Sequence, residues 1–109
     1  AAMATNRREV IEGVQYQGED EVIAYTVDVG AIAEALGSPP ASVAVVVKDD
    51  RGAVVTATVM PVNTPSVAGN VISLSPLRSL TAGVLYRVEA GYTIGGNVLE
   101  SYFYVQAEV

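Results

Sequence analysis

The amino-acid sequence predicts an all-β protein: one antiparallel β-sandwich of about seven strands with one short crossover helix. Several short segments alternate apolar and polar residues with a period of two, which is typical of strands that bury one face. Clusters of Gly, Pro, Asn and Asp separate these segments at the spacing of a sandwich. The 109 residues are enough for a single domain with a full hydrophobic core.

The first nine residues are expected to lie outside the folded domain. Ala1-Ala2 before Met3 has the character of a cloning remnant, and the polar residues that follow lack the apolar run of a cleaved signal peptide. We therefore predict a flexible tail over residues 1–9 and a single domain over residues 10–109.

Two strands open the predicted domain. Residues 10–17 form the first strand, and a turn at Gly18 leads into the second strand over residues 21–29. The second strand has one apolar and one largely polar face, so its register is well specified. Its predicted core residues are Ile23, Tyr25, Val27 and Val29.

Residues 31–36 are the one helical interruption in the pattern. They contain good helix formers, and Gly37 with the two prolines that follow Ser38 would end a helix there. We interpret this segment as a short crossover helix between two sheets, with an irregular loop as the alternative.

The middle of the chain is predicted to form a second hairpin, a loop and a short strand. Residues 42–48 are a Val-rich run, typical of a strand whose two faces are both covered or nearly so. Residues 49–52 form a turn, and residues 53–60 return as the partner strand. A loop with two prolines follows over residues 61–69, and residues 70–75 form the next strand.

The last quarter of the chain predicts a long hairpin. Gly95 and Gly96 supply the positive φ angles that a tight turn needs. On the returning strand, Phe103 is the only Phe of the chain and is assigned to the core. Tyr102 and Tyr104 fall on the opposite, outer face. The preceding strand alternates in the same way, with a predicted core face of Tyr86, Val88, Ala90 and Tyr92.

Composition argues against several classes of function. The net charge of −6 disfavours a nucleic-acid partner, and the absence of His and Cys removes the commonest general base and the thiolate metal ligands. No serine lies in a nucleophile elbow and no glycine-rich loop opens a helix. We therefore expect no enzyme activity, no cofactor, no catalytic or metal-binding residues, no small-molecule ligand and no membrane span.

Two carboxylate clusters are candidate cation sites. Glu19, Asp20 and Glu21 offer oxygen ligands but lack the spacing of a calcium loop. Asp49 and Asp50 lie in a predicted hairpin turn, where Asp favours bonds to its own backbone. Solvated turns are the preferred interpretation of both clusters.

The most informative feature is residues 52–77, which contain no Lys, Arg, Asp or Glu and are here called the uncharged segment. Exposed strand edges are usually guarded by charge. The segment is therefore either covered by the protein's own loop or paired with another chain, and both options stay open. Lysine at Thr58 or Ser73, on the predicted outer faces, would test the second option.

The spacing Leu80-x-x-Gly83-x-x-Tyr86 resembles the tyrosine corner of immunoglobulin-like and fibronectin type III domains, in which a Tyr hydroxyl bonds to backbone just upstream. The chain lacks their early-strand Trp and cysteine pair, which disfavours the antibody type. From residue 21 to residue 105 the order of strands is similar to that of small one-domain immunoglobulin-like structural proteins of tailed phages and prophages, including fibre–tail adaptors. This resemblance lies in loose patterns, such as the strand Asn70-Val71-Ile72-Ser73-Leu74.

The resemblance implies a virion component that is made in the host cytoplasm and acts through contacts with other protein subunits, possibly itself. The alternative is a fibronectin- or immunoglobulin-type recognition module for carbohydrate or a cell-surface protein. Exposed aromatic rings would favour the alternative, and the candidates are Tyr16, Tyr102 and Tyr104. A composition of 50% hydrophobic and 17% charged residues suits either a buried assembly surface or simply a Val- and Ala-rich sandwich.

Overall fold

The computed structural model describes residues 9–109, with side chains from residue 14 onward, and it confirms the all-β sandwich. The predicted tail over residues 1–8 lies outside the described residues, whereas Glu9 begins the first strand. The strands are β1 (Glu9–Gly18), β2 (Thr26–Asp28), β3 (Ala41–Lys48), β4 (Ser66–Ala68), β5 (Val71–Ser73), β6 (Leu85–Ile94) and β7 (Asn97–Glu108). The helices are α1 (Gly30–Leu36) and α2 (Thr56–Val59).

The strands form two sheets. One has the order β1-β7-β6-β3 and the other the order β2-β5-β4. All neighbours are antiparallel except β1 and β7, which run parallel. The β6–β7 hairpin has the predicted register and turn, with Ile94 opposite Asn97 and positive φ at Gly95 and Gly96. Helix α1 carries the chain from one sheet to the other, as predicted, and ends at Gly37 with φ of 77°.

The core lies between the inner faces of the two sheets. Alternation along β6 and β7 buries the residues that the sequence assigns to the core, including Phe103 and Tyr92. From the smaller sheet, Val27 and Ile72 are fully buried against them. Tyr86 is buried as well, and its hydroxyl accepts a hydrogen bond from the backbone N–H of Thr81 at 2.8 Å, as a tyrosine corner requires.

The predicted strand over residues 53–60 is wrong. After one isolated bridge between Lys48 and Val54, the chain leaves the sheet and turns into α2. Val59 ends α2 and Met60 follows it as the C-cap, with φ of −139° and ψ of 65°, and both side chains are buried. A helical turn therefore directs both large side chains into the core, which an extended strand could not do because neighbours in a strand point to opposite faces.

Three further predictions need correction. The loop over residues 61–69 contains the short strand β4, which takes the place of the missing strand. The strand over residues 21–29 is regular only at β2, although Val27 and Val29 are buried as predicted and Ile23 forms an isolated bridge. Strand β3 buries one face, at Val45 and Val47, while Val46 on the opposite face is only half-buried, so the second face is covered in part.

Candidate functional site

The first candidate site is a strand edge. Each open sheet ends in two strands whose outer N–H and C=O groups need partners, and such edges are where extended chains add. In this sandwich the edge strands are β1 and β3 in one sheet and β2 and β4 in the other. They differ in how they are covered and in the charges they carry.

The uncharged segment covers the edge of β3 from within the same chain. The N–H of Val47 donates to the Thr56 hydroxyl at 2.9 Å, and the C=O of Val47 accepts from the N–H of Val55 at 2.9 Å. The C=O of Val45 accepts from the side-chain amide of Asn63 at 2.9 Å. The first half of the uncharged segment thus acts as a cover for its own sheet.

The second half of the uncharged segment contains β4, whose three residues are all exposed. Ala68 pairs with Val71 across a two-residue turn that begins at Gly69, which has φ of 61°. Val67 pairs with the fully buried Ile72 and therefore faces the interior of the sandwich. The residue is nevertheless 39% exposed, because no strand pairs with the outer edge of β4.

The bond pattern of β5 shows where the backbone of β4 points. Along β5, Asn70 and Leu74 bond to the β2 side, since Asn70 C=O accepts from Val29 and Leu74 N–H donates to Tyr25. Val71 and Ser73 alternate with them, so the N–H and C=O groups of these two residues point toward β4. The N–H and C=O of Val67 are therefore directed away from β5, at the outer edge of the sheet.

The four edge strands also differ in charge. The sequence of β1 includes Glu9 and Glu12, β2 includes Asp28, and β3 includes Lys48. Only β4 has no charged residue. The charged side chains that normally prevent association between strand edges are thus missing at β4, although the strand is short.

The second candidate site is the outer face of the four-stranded sheet. Register places Val14 beside Tyr104 and Tyr16 beside Gln106, so all three candidate tyrosines share this face. Tyr16 is 64% exposed, while Tyr102 and Tyr104 are half-buried. The rings of Tyr102 and Tyr104 meet edge to face, with centroids 5.6 Å apart.

Ion pairs surround these rings. The Arg87 guanidinium lies 4.0 Å from the centroid of the Tyr102 ring, a cation–π distance. The Glu89 carboxylate lies 2.8 Å from Arg87 Nε and 3.3 Å from Lys48 Nζ. The Glu100 carboxylate lies 3.9 Å from an Arg87 terminal nitrogen. Two cations and two carboxylates balance in charge here, and the ion pairs hold Arg87 over the Tyr102 ring.

The carboxylate clusters act on the backbone. Glu21 accepts from the N–H of Gly18 at 2.7 Å, and Asp49 accepts from the N–H groups of Arg51 and Ala53 at 2.9 Å each. Within the part of the chain that the structure describes, no three His, Cys, Asp or Glu side chains come together as a metal site. Both clusters stabilise turns, as the preferred interpretation has it.

Sequence reasoning found the uncharged segment and the three tyrosines but missed β4. The signal was present, because Gly69-Asn70 between two short β-prone runs is a hairpin pattern with glycine at the first turn position. Pro61 and Pro65 led to the assignment of a loop. Both prolines lie outside the three residues that pair.

Comparison with protein-family models, with curated proteins and with solved structures finds no match to this chain. Among the described residues, no helix has the length and apolar character to cross a membrane.

Proposed function

We propose that this protein is a non-enzymatic structural or adaptor component of a phage or prophage particle, located in the virion and acting through protein–protein contacts. The observation that carries the proposal is the exposed edge of β4 in an otherwise charge-guarded sandwich. Edge-strand addition gives affinity through backbone hydrogen bonds and needs no cofactor. The resemblance to small immunoglobulin-like phage proteins supplies the assembly context.

A second candidate is a recognition module for carbohydrate. It is favoured by the gathering of Tyr16, Tyr102 and Tyr104 on one face, beside Arg87 and Glu89, which offer hydrogen bonds. Flat rings next to fixed polar groups suit the apolar faces and hydroxyls of sugars. Arg87 is already engaged in the ion pairs of this face, however, and a solvated sheet face has the same composition.

A glycan array separates the two candidates. The unmodified protein and a Tyr102→Ala/Tyr104→Ala variant are applied in parallel, with Tyr25→Ala avoided because that ring packs on Phe103 in the core. An assembly component gives no signal that depends on the two tyrosines. A glycan signal that disappears in the variant, with an unchanged circular dichroism spectrum, would overturn the structural proposal in favour of the recognition module.

A further inference from the structure

We infer that the partner of the β4 edge is a second copy of this chain, which adds its own β4 antiparallel across a two-fold axis at Val67. This inference rests on the proposed function and specifies its partner. The resulting sheet would run without interruption through both molecules, in the order β2-β5-β4-β4-β5-β2.

The directions of the backbone groups support a symmetric pairing. The N–H and C=O of Val67 point sideways, away from β5 and past the edge of the sheet, while Ser66 and Ala68 pair with Ser73 and Val71 of β5. An antiparallel pair centred on one residue lets that residue exchange both hydrogen bonds with its own copy. The same patch then serves both molecules, as an isologous interface requires.

Charge favours a second copy at this edge over the others. Each molecule carries a net charge of −6, so two copies repel, and the repulsion is weakest where the surfaces that meet carry no charge. Pairing through β4 separates the two Asp28 side chains by five strand spacings, about 24 Å. That is roughly three Debye lengths at physiological salt, so their repulsion is screened. Pairing through β2 would instead set the two Asp28 residues on adjacent strands.

The apolar side chain at the edge has a reason to be covered. Val67 faces inward, in line with Ile72 and Val27, yet remains 39% exposed at the open flank of the core. A second β4 would place another Val67 directly opposite and remove both side chains from water. Ser66 and Ala68, on the outer face, are small and uncharged, so nothing bulky stands in the way.

The absence of cysteine allows a test that reports register. In the proposed pairing Ser66 lies opposite Ala68 of the second copy, as a non-hydrogen-bonded pair with Cα atoms about 4.5 Å apart, within the range of a disulfide. Ser66→Cys and Ala68→Cys proteins are oxidised separately and as an equimolar mixture. We expect the mixed disulfide to form at least ~10-fold faster than either homodisulfide, because pairing holds the two thiols at high effective concentration.

A second variant tests the backbone hydrogen bonds of Val67. Val67→Pro removes an N–H that β5 does not use, and proline is tolerated on edge strands, so the fold is expected to persist while the mixed disulfide is lost. Equal rates for mixed and homodisulfides would overturn the inference, whether or not the proline variant folds. That result leaves the glycan-array outcome, and with it the proposed function, untouched.

Discussion

The side-chain amide of Gln17 donates a hydrogen bond to the backbone C=O of Leu77 at 2.7 Å, which ties β1 to the last residue of the uncharged segment. Gln17 is fully buried and also donates to the C=O of Glu21 at 3.0 Å. Its amide oxygen accepts from the Tyr25 hydroxyl at 3.0 Å. One polar side chain therefore joins three separate segments at the end of the sandwich.

Gln17→Met is expected to lower the free energy of unfolding by about 1–3 kcal/mol, because the Tyr25 hydroxyl loses its acceptor and, among the described residues, the Leu77 C=O keeps only the bond from the Ile23 N–H. Urea unfolding followed by circular dichroism measures the loss. Gln106→Met is the control, since within the described part of the chain the amide of Gln106 makes long hydrogen bonds of 3.3 and 3.4 Å. Equal losses in the two variants would show that the buried bonds of Gln17 are not stabilising.

Tyr86→Phe should cost about 1–2 kcal/mol, because it removes the acceptor for the N–H of Thr81 and keeps the buried ring. Thermal and urea unfolding of the variant give the value. Tyr104→Phe provides the comparison: among the described residues its hydroxyl bonds to Arg87 alone, at 3.4 Å, so a change within about 0.5 kcal/mol is expected. An unchanged unfolding curve for Tyr86→Phe would contradict the corner as a stabilising element.

Tyr92 and Ser101 form a buried hydroxyl pair at 2.7 Å between β6 and β7. Ser101→Ala leaves the Tyr92 hydroxyl in the core without this hydrogen-bond partner, and we expect the free energy of unfolding to fall by about 1–3 kcal/mol. Adding Tyr92→Phe should cost less than the sum of the two single changes, with a coupling energy of about 1 kcal/mol. Additive losses across the double-mutant cycle would mean that the two hydroxyls do not interact.

Burial raises the pKa of the Tyr25 hydroxyl, and the nearby Glu21 carboxylate raises it further. The proton is held more tightly in the folded state, so this contribution to stability is complete below the ordinary tyrosine pKa of about 10. It is lost as pH rises through the folded value. Urea midpoints should therefore fall above about pH 10, and less steeply in Tyr25→Phe. Tyr16→Phe, at a 64% exposed position, is the control, and an identical decline in all three proteins would refute the assignment.

The terminal hairpin was predictable from sequence because its signals agree. Alternation from Tyr86 to Tyr92, two turn glycines and a single Phe all specify one register, and the structure has that register. Residues 53–60 were not predictable, because Val55 and Val59 fit a strand with period two as well as a helix face. Whether the chain continues the hairpin or buries Met60 depends on contacts with the rest of the core, and these contacts are non-local.

The candidate sites follow the same division. Tyr102 and Tyr104 were placed on an outer face by alternation alone, but their meeting with Val14 and Tyr16 depends on the parallel pairing of β1 with β7. Strand partners and their direction are non-local, and no local pattern specifies them. The uncharged segment was visible in the sequence, whereas its division into an internal cover and an exposed edge required the positions of Val47 and Val67.

Absolute mass by light scattering after size exclusion, from about 1 μM to about 1 mM protein, tests the central claim most directly. If β4 pairs with a second copy, the mass rises with concentration from the 11.3 kDa of one chain toward twice that value. Ser66→Lys keeps the mass at one chain by placing two like charges in the interface, one on either side of the two-fold axis. Thr58→Lys, on the exposed side of α2, should associate as the unmodified protein does. A mass of 11.3 kDa at every concentration would contradict self-pairing at this edge.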